Sequence, residues 1–317
     1  MKKIIFSKFI QIIFTLWIAT FSVFLLIQSA PSDPITIFMS QPAEYAVDQD
    51  LLNEQIEQLK EEYHLNDNVF KQYTIWLGRI LRFDLGKSLL TGQSVRDSIK
   101  RSLPNSLKLA FFSMIIQFVL ATMLAILSVM HFSKPIDHLI RFITVAIRSV
   151  PSFAIGLVLL TYFATHLKIY EISTSNSMSR LWLPVLAAGI TMIPKLTRLI
   201  RSSVLDEMGK LYIVSYISKG FNRAFIIKQA LKNILIPIST QLAISFAGSV
   251  GGMIITEAIF SWPGIGKFGM DSIISQDYPA IQGYILVITF LVIIINFLSD
   301  IVYIYANPMA RREAGAI

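Results

Sequence analysis

Residues 281–305 read IQGYILVITFLVIIINFLSDIVYIY, and this apolar run decides the class of the molecule. Asp300 is its single charged residue. Because about 20 helical residues cross the roughly 30 Å of hydrocarbon in a bilayer, the run predicts a transmembrane helix. The whole chain agrees with this, since 54% of its 317 residues are hydrophobic and only 15% are charged. A soluble domain of this size is normally less apolar.

Five further apolar runs have a comparable length, at 9–30, 106–130, 149–166, 182–200 and 235–259. The first follows MKKIIFSK, but its apolar part exceeds the roughly 7–15 residues of a signal peptide, and IQSA is a poor cleavage site. We therefore interpret it as a retained helix. The predicted fold class is all-α, a polytopic membrane protein with six transmembrane helices.

The runs also divide the chain. Residues 1–30 hold the N-terminal segment and first helix, 31–104 form an insert of ordinary polar composition, and 105–317 form the main transmembrane domain. Within the insert, the stretch from Asp50 to Tyr63 repeats apolar residues at helical spacing. The insert is expected to dock an external protein or to act as an outer gate, with a passive cap as the alternative.

Basic residues predict the orientation. Segment 195–232 carries eight Lys and Arg residues against two acids, and the N-terminus adds Lys2, Lys3 and Lys8. The positive-inside rule assigns both segments to the cytoplasm, so both termini are expected there. The insert has eleven acidic and eight basic residues and faces outward. The net charge of +8 is then explained by topology, and no nucleic-acid partner is predicted.

Several kinds of chemistry lack their sequence signals. The chain has no cysteine, which excludes disulfides and thiolate metal sites. GKS at 86–88 looks like the end of a phosphate-binding loop, but Leu81 stands where the first glycine should be. The four histidines show no metal-ligand spacing; they are His64, His131, His138 and His166. We expect no cofactor, no metal, no catalytic residues and no enzyme activity.

The segment 202–237 is the most informative polar piece. Gly220 stands where a helix would end or turn tightly, and Pro237 begins the next membrane helix. Leu231, Ile234 and Leu235 are expected to share a face with Ile227. The pattern predicts helix, sharp turn, helix, lying against the membrane. Such a unit either docks another protein or merely fixes the topology.

The segment TEAIFSWPGIG at 256–266 places a carboxylate at membrane depth. Glu257 is costly there unless it faces the bundle interior or water. Phe260 and Trp262 suit the membrane interface, while proline and glycine end the helix. A direct gating role and an ordinary helix end both remain open. The path or gate candidates are Glu257, Phe260, Trp262, Pro263, Gly264, Gly266, Asp277, Asn296 and Asp300.

YIVSYISKGFNRAFIIKQALKNILIP, which ends at Pro237, resembles the cytoplasmic coupling loop of permease subunits of ATP-binding-cassette (ABC) importers. FSWPGIG, DYP with IQGY, NFLSDIVY and NPMARR resemble the peptide and nickel branch of that family. Upstream, QYTIWL, LRFDLGKSL and LPNSLKLA resemble the outer-loop signature of the same branch. The likeness runs in order from about residue 70 to 312. It departs at Val214, Tyr216 and Ile217, ahead of the Lys-Gly pair, where the family usually has arginine and alanine.

This resemblance implies the fold of a type I importer permease in a bacterial inner membrane. It implies a second homologous permease, two cytoplasmic ATPases and an external binding protein, with small peptides or nickel, free or chelated, as cargo. The alternative is a self-sufficient secondary transporter or channel. The expected ATPase-coupling residues are Tyr212, Lys219, Gly220, Phe221, Asn222, Asn233 and Pro237.

Overall fold

The computed structural model describes residues 2–28 and 67–306, and the chain in these ranges is organised in helices. The N-terminal helices are α1 (Lys2–Gln28), α2 (Val69–Leu81), α3 (Val95–Met130), α4 (Pro135–Ser149) and α5 (Ser152–Leu160), which continues as a π-helical turn (Thr161–His166). The later helices are α6 (Met178–Met208), α7 (Leu211–Ser218), α8 (Arg223–Asn233), α9 (Leu235–Gly252), α10 (Ile254–Ile259), α11 (Ile265–Ile274) and α12 (Tyr278–Ala306). The stretch from Asp50 to Tyr63 and the NPMARR motif lie outside the described residues.

Four helices are long and apolar enough to cross a membrane: α3, α6, α9 and α12. A fifth span is possible if α4 and the α5 segment through His166 count as one, although they meet at 95°. The apolar part of α1 with described side chains covers only Ile10–Ser22. The helical, multi-pass class is therefore confirmed, while the number six stays a prediction.

Helices α3 and α6 form the centre of the bundle. Leu196 and Ile200 of α6 are fully buried against Ala121 and Ala125 of α3. The two helices approach closely at Gly189, where an added Cβ would lie 2.9 Å from Cγ2 of Ile116. A side chain at this position would have to push the helices apart, so the glycine sets their separation.

Two predicted helix boundaries move because of local backbone chemistry. Pro151 restricts Val150 to extended geometry (φ −90°, ψ 129°), so α5 begins at Ser152 instead of 149. The predicted helix 235–259 is broken at Met253, where ψ is 4°. Gly251 and Gly252 precede this break, and glycine is a poor helix former.

The expected shared face of α8 is only partly right. Ile227 and Ile234 are buried and Leu231 packs against them, but the side chain of Leu235 is 56% exposed. The chain leaves helical geometry at Ile234 (φ −98°, ψ 9°), which separates α8 from α9. Leu235 therefore belongs to the next helix and faces away from the cluster.

Candidate functional site

The carboxylate of Glu257 is enclosed by protein, with only 1% of the residue exposed. The hydroxyl of Ser106 on α3 donates a hydrogen bond to it, and the backbone N–H of Lys267 donates another at 2.9 Å. The Ser106 hydroxyl in turn accepts from the N–H of Ile265 at 2.7 Å. The carboxylate thus lies at the N-terminus of α11, where free N–H groups and the helix dipole stabilise negative charge. The interior placement that sequence reasoning allowed for Glu257 is confirmed.

The two glycines of WPGIG make room for this carboxylate. A Cβ on Gly264 would overlap the carboxyl group of Glu257. A Cβ on Gly266 would lie 2.8 Å from the Cα of Ile254. Both glycines are therefore needed for close packing, and neither has the positive φ that would indicate a conformational role. We refer to Ser106, Glu257, Gly264 and Gly266 together as the Glu257 cage.

Phe260 and Trp262 were expected at the membrane interface, and that expectation is wrong. Both are fully buried inside the protein. The Trp262 indole N–H donates to the carbonyl of Asn105 at 3.1 Å, and Arg180 donates to the carbonyl of Phe260 at 3.2 Å. Because α3 and α6 supply these polar partners, the aromatic pair packs in the interior instead of anchoring in headgroups.

The remaining candidates of this group are distributed differently. The carbonyl of Pro263 accepts from the Asn105 side chain at 2.8 Å, next to the Glu257 cage in the chain. Asp277 directly precedes α12 and is also buried. Its carboxylate accepts from the Ser88 hydroxyl at 2.5 Å and from the Leu89 N–H at 3.2 Å. Asn296 is exposed on α12. Asp300 lies on the same helix, with its side chain outside the described set.

The turn of the α7–α8 hairpin, residues 211–233, has the predicted form. Gly220 has a φ of +79°, in the region where glycine is favoured. Asn222 caps α8 by accepting from the N–H of Phe225 at 2.8 Å. Phe221 stacks on Phe225 with 4.6 Å between ring centroids, and Lys219 is exposed at the end of α7. The four predicted residues 219–222 therefore form one tight, capped turn.

The root of the hairpin is held by Glu207, which sequence reasoning did not select. Its carboxylate accepts from the hydroxyl of Tyr212 at 2.8 Å and from the side chain of Asn233 at 3.0 Å. Burial and the Glu207 hydrogen bond raise the pKa of the Tyr212 hydroxyl above its ordinary value of 10. Tyr212 and Asn233 are thus brought together, whereas Pro237 is exposed in the first turn of α9.

An apolar stripe on α7 lacks a partner within the described residues. Leu211 is 87% exposed, and Val214 and Ile217 follow it at intervals of three. Phe221 continues the stripe at the turn and is also exposed. An exposed apolar surface of this kind, outside the spanning helices, is a candidate for a contact with another protein. The departures from the family pattern at Val214 and Ile217 fall on this stripe.

The residues that sequence reasoning missed are mostly the partners of those it found. Asn105 and Ser106 lie in the quoted LPNSLKLA motif, and a Ser or Asn beside a proline inside an apolar run was a usable signal. For Arg180 the sequence offered no signal other than a charged residue near the start of a helix. Among residues 2–28 and 67–306, no group of three or more His, Cys, Asp or Glu could hold a metal ion.

The described residues form a bundle of several helices long and apolar enough to cross a membrane, with a capped hairpin that carries an exposed apolar stripe, and this defines the class as a polytopic helical membrane protein. Residues 117–312 match the family described as binding-protein-dependent transport system inner membrane component, and the chain belongs to it. It is the permease subunit of an ABC importer of the dipeptide, oligopeptide and nickel type.

Relatives and a solved structure agree with this assignment. The chain is 32% identical over 314 residues to the nickel import system permease protein NikB of Staphylococcus aureus strain MRSA252, covering 99% of this chain and 93% of the relative. The protein of the same name from strain USA300 is 31% identical with the same coverage. A structure of the MetNI methionine ABC transporter in inward-facing conformations matches with a TM-score of 0.55 and 16% identity, covering 66% of this chain and 96% of that one. The last likeness concerns the fold alone.

Proposed function

We propose that this subunit, paired with a second homologous permease, forms the path by which nickel, free or chelated, is imported. The observation that carries the proposal is the similarity over 99% of this chain to permeases named for nickel import. Small peptides are the competing cargo, because the FSWPGIG and DYP motifs resemble a branch of the family that includes peptide importers as well as nickel importers. An external binding protein delivers the cargo, and two cytoplasmic ATPases drive the cycle.

The α7–α8 hairpin is the surface on which an ATPase docks. The support is the exposed stripe of Leu211, Val214 and Ile217, together with a root fixed by Glu207. A short helix that lays its apolar face in a cleft of its partner is a common recognition mode. Because the turn at Gly220 is tightly capped, movement of the ATPase is passed to the helices instead of being absorbed by the loop.

The Glu257 cage has a positioning role in the same proposal. Its carboxylate is satisfied by donors from α3 and α11 and is closed off from water, which favours a rigid joint over a group that contacts cargo. The joint holds α10 and α11 against α3 while the spanning helices rearrange. Asp277 holds the segment between α2 and α3 in the same way, through a hydrogen bond with Ser88.

The cargo is tested by reconstituting the complete importer in proteoliposomes with its binding protein. We expect ATP-dependent uptake of radioactive nickel, with or without a chelator, and no uptake of labelled dipeptides or oligopeptides. Uptake of peptide in place of nickel would reassign the cargo and leave the permease role intact. Flux through this chain without ATPases would contradict the coupling proposal itself.

A further inference from the structure

Helix α4 departs from the direction of the bundle. It meets the following segment, α5 with its π-helical turn, at 95°. The second segment begins with the strongly apolar α5 and is shorter than a full membrane span, so it can enter the bilayer from one side. If that segment runs along the membrane normal, α4 lies parallel to the membrane plane.

The start of α4 is fixed at the same end of the bundle as the α7–α8 hairpin. The Asp137 carboxylate accepts from the guanidinium of Arg201 on α6 at 2.8 and 2.9 Å, and from the Ser128 hydroxyl on α3 at 2.5 Å. At the same end, Arg223 of α8 donates to the carbonyl of Val129 at 2.9 Å. Helix α4 therefore leaves the bundle at the level where α3 ends.

Three faces run along α4. One contacts the bundle through buried Asp137 and Ile140, with Thr144 and Ile147 half-buried on the same side. The second is apolar and exposed, and its most exposed side chain is Phe142 at 71%. This apolar face also includes Ile136, Leu139 and Ile143.

The third face is basic. Arg141 and Arg148 are exposed on it, with exposed Val145 between them, and exposed Lys134 precedes the helix. Asp137 is the sole acidic residue of α4, and it is already paired with Arg201. The exposed side of the helix thus carries positive charge that no acidic residue of α4 balances.

We propose that α4 is an interfacial helix that binds acidic phospholipid in the leaflet on the hairpin's side. Its apolar face enters the acyl region, and Arg141 and Arg148 meet anionic headgroups. An amphipathic helix with a basic polar face and an unpartnered apolar face is the form that lies in a membrane surface. Asp137 binds α4 to α3 and α6, two of the helices that are long and apolar enough to cross a membrane, so the start of α4 is attached to spanning helices.

The position of α4 is tested with fluorescent labels, which the absence of cysteine makes simple. The Phe142→Cys and Arg141→Cys subunits are labelled one at a time in the complete importer, in phosphatidylcholine vesicles containing phosphatidylglycerol. We expect nitroxide on lipid acyl chains to quench the label at 142 and aqueous iodide to quench the label at 141. Iodide quenching of both, or cross-linking of position 142 to the second permease, would overturn the proposal.

The lipid preference is tested with the same label at 142. Phosphatidylglycerol and phosphatidylcholine, each carrying a nitroxide, are compared at equal mole fraction in phosphatidylcholine vesicles. A basic residue near an anionic surface changes binding roughly fivefold, so phosphatidylglycerol should be enriched severalfold around the label. The double variant Arg141→Gln/Arg148→Gln should lose this enrichment, and high salt should weaken it.

The matched control is Arg79→Gln/Arg82→Gln, which removes two exposed arginines at the end of α2 instead. Enrichment of phosphatidylglycerol should be unchanged in this control. Equal quenching by the two labelled lipids in the parent, or loss of enrichment in the control as well, would refute recognition of acidic lipid by α4. None of these outcomes depends on which cargo the importer carries.

Discussion

The Ser106 hydroxyl on α3 donates a hydrogen bond to the Glu257 carboxylate on α10, joining positions 151 residues apart in the chain. The same hydroxyl accepts from the N–H of Ile265, so a single small side chain links α3, α10 and α11. A buried carboxylate is costly when unpaired, which makes the whole arrangement depend on close packing around it. The Glu257 cage is therefore sensitive to added volume.

Gly264→Ala is expected to destabilise the subunit by about 1–3 kcal/mol, the usual cost of forcing an extra carbon into a packed interior. The new Cβ would overlap the Glu257 carboxyl group, which is held in place by the Ser106 hydroxyl and the Lys267 N–H. Thermal unfolding of the purified subunit in detergent measures the effect. Gly252→Ala is the control, because an added Cβ there meets nothing within 4 Å. Equal melting temperatures for the two variants would show that the cage is loose.

The spanning helices and the Gly220 turn could be predicted from the sequence, whereas the burial of Trp262 could not. Hydrophobic runs located α3, α6 and α12, because crossing a bilayer requires an apolar length that is visible in one dimension. The turn at Gly220 was also predictable, since few residues other than glycine adopt a positive φ easily. The burial of Trp262 was not, because it depends on Asn105, which lies on a different helix. A Trp beside a proline fits both an interface and an interior until its partner is known.

The ion pair of Asp137 and Arg201 should behave as a unit. The Asp137 side chain is 2% exposed, so Arg201→Gln leaves a buried carboxylate without its counter-charge, at a cost of about 3–5 kcal/mol. The double variant Asp137→Asn/Arg201→Gln should be less destabilised than the sum of the two single variants. Thermal unfolding of the four proteins gives the coupling. Simple additivity would mean that the two side chains do not interact in solution.

The contact between Ser88 and Asp277 links the polar segment before α3 to the start of α12. Ser88→Ala removes one of the donors to the buried Asp277 carboxylate and should cost about 1–3 kcal/mol. Ser88→Thr keeps a hydroxyl and should retain most of the stability. Thr91→Ala, at an exposed neighbouring position, should stay within about 0.5 kcal/mol of the parent. If Ser88→Ala and Thr91→Ala unfold alike, the contact is not formed.

The turn of the α7–α8 hairpin offers a test of transmission that leaves membrane insertion intact. An added Cβ at Gly220 meets nothing within 4 Å, so Gly220→Val acts only through the positive φ of +79°. A side chain in this left-handed region costs roughly 1–2 kcal/mol, and more for a β-branched one. The apolar spans are untouched, so the subunit should still insert and the binding protein should still capture cargo. Cargo uptake and cargo-stimulated ATP hydrolysis should fall together.

Two further variants separate strain at the turn from a general effect of losing glycine. Gly220→Asn should restore much of the coupling, because asparagine tolerates positive φ better than other side chains. Gly209→Ala, just before α7, should behave like the parent, since φ there is −78° and an added Cβ meets only the carbonyl of Asp206 at 3.5 Å. Uptake and ATP hydrolysis are measured in proteoliposomes containing the complete importer. If Gly220→Val assembles and couples like the parent, the turn at Gly220 does not transmit the work of the ATPase. That role must then lie on another surface of the subunit.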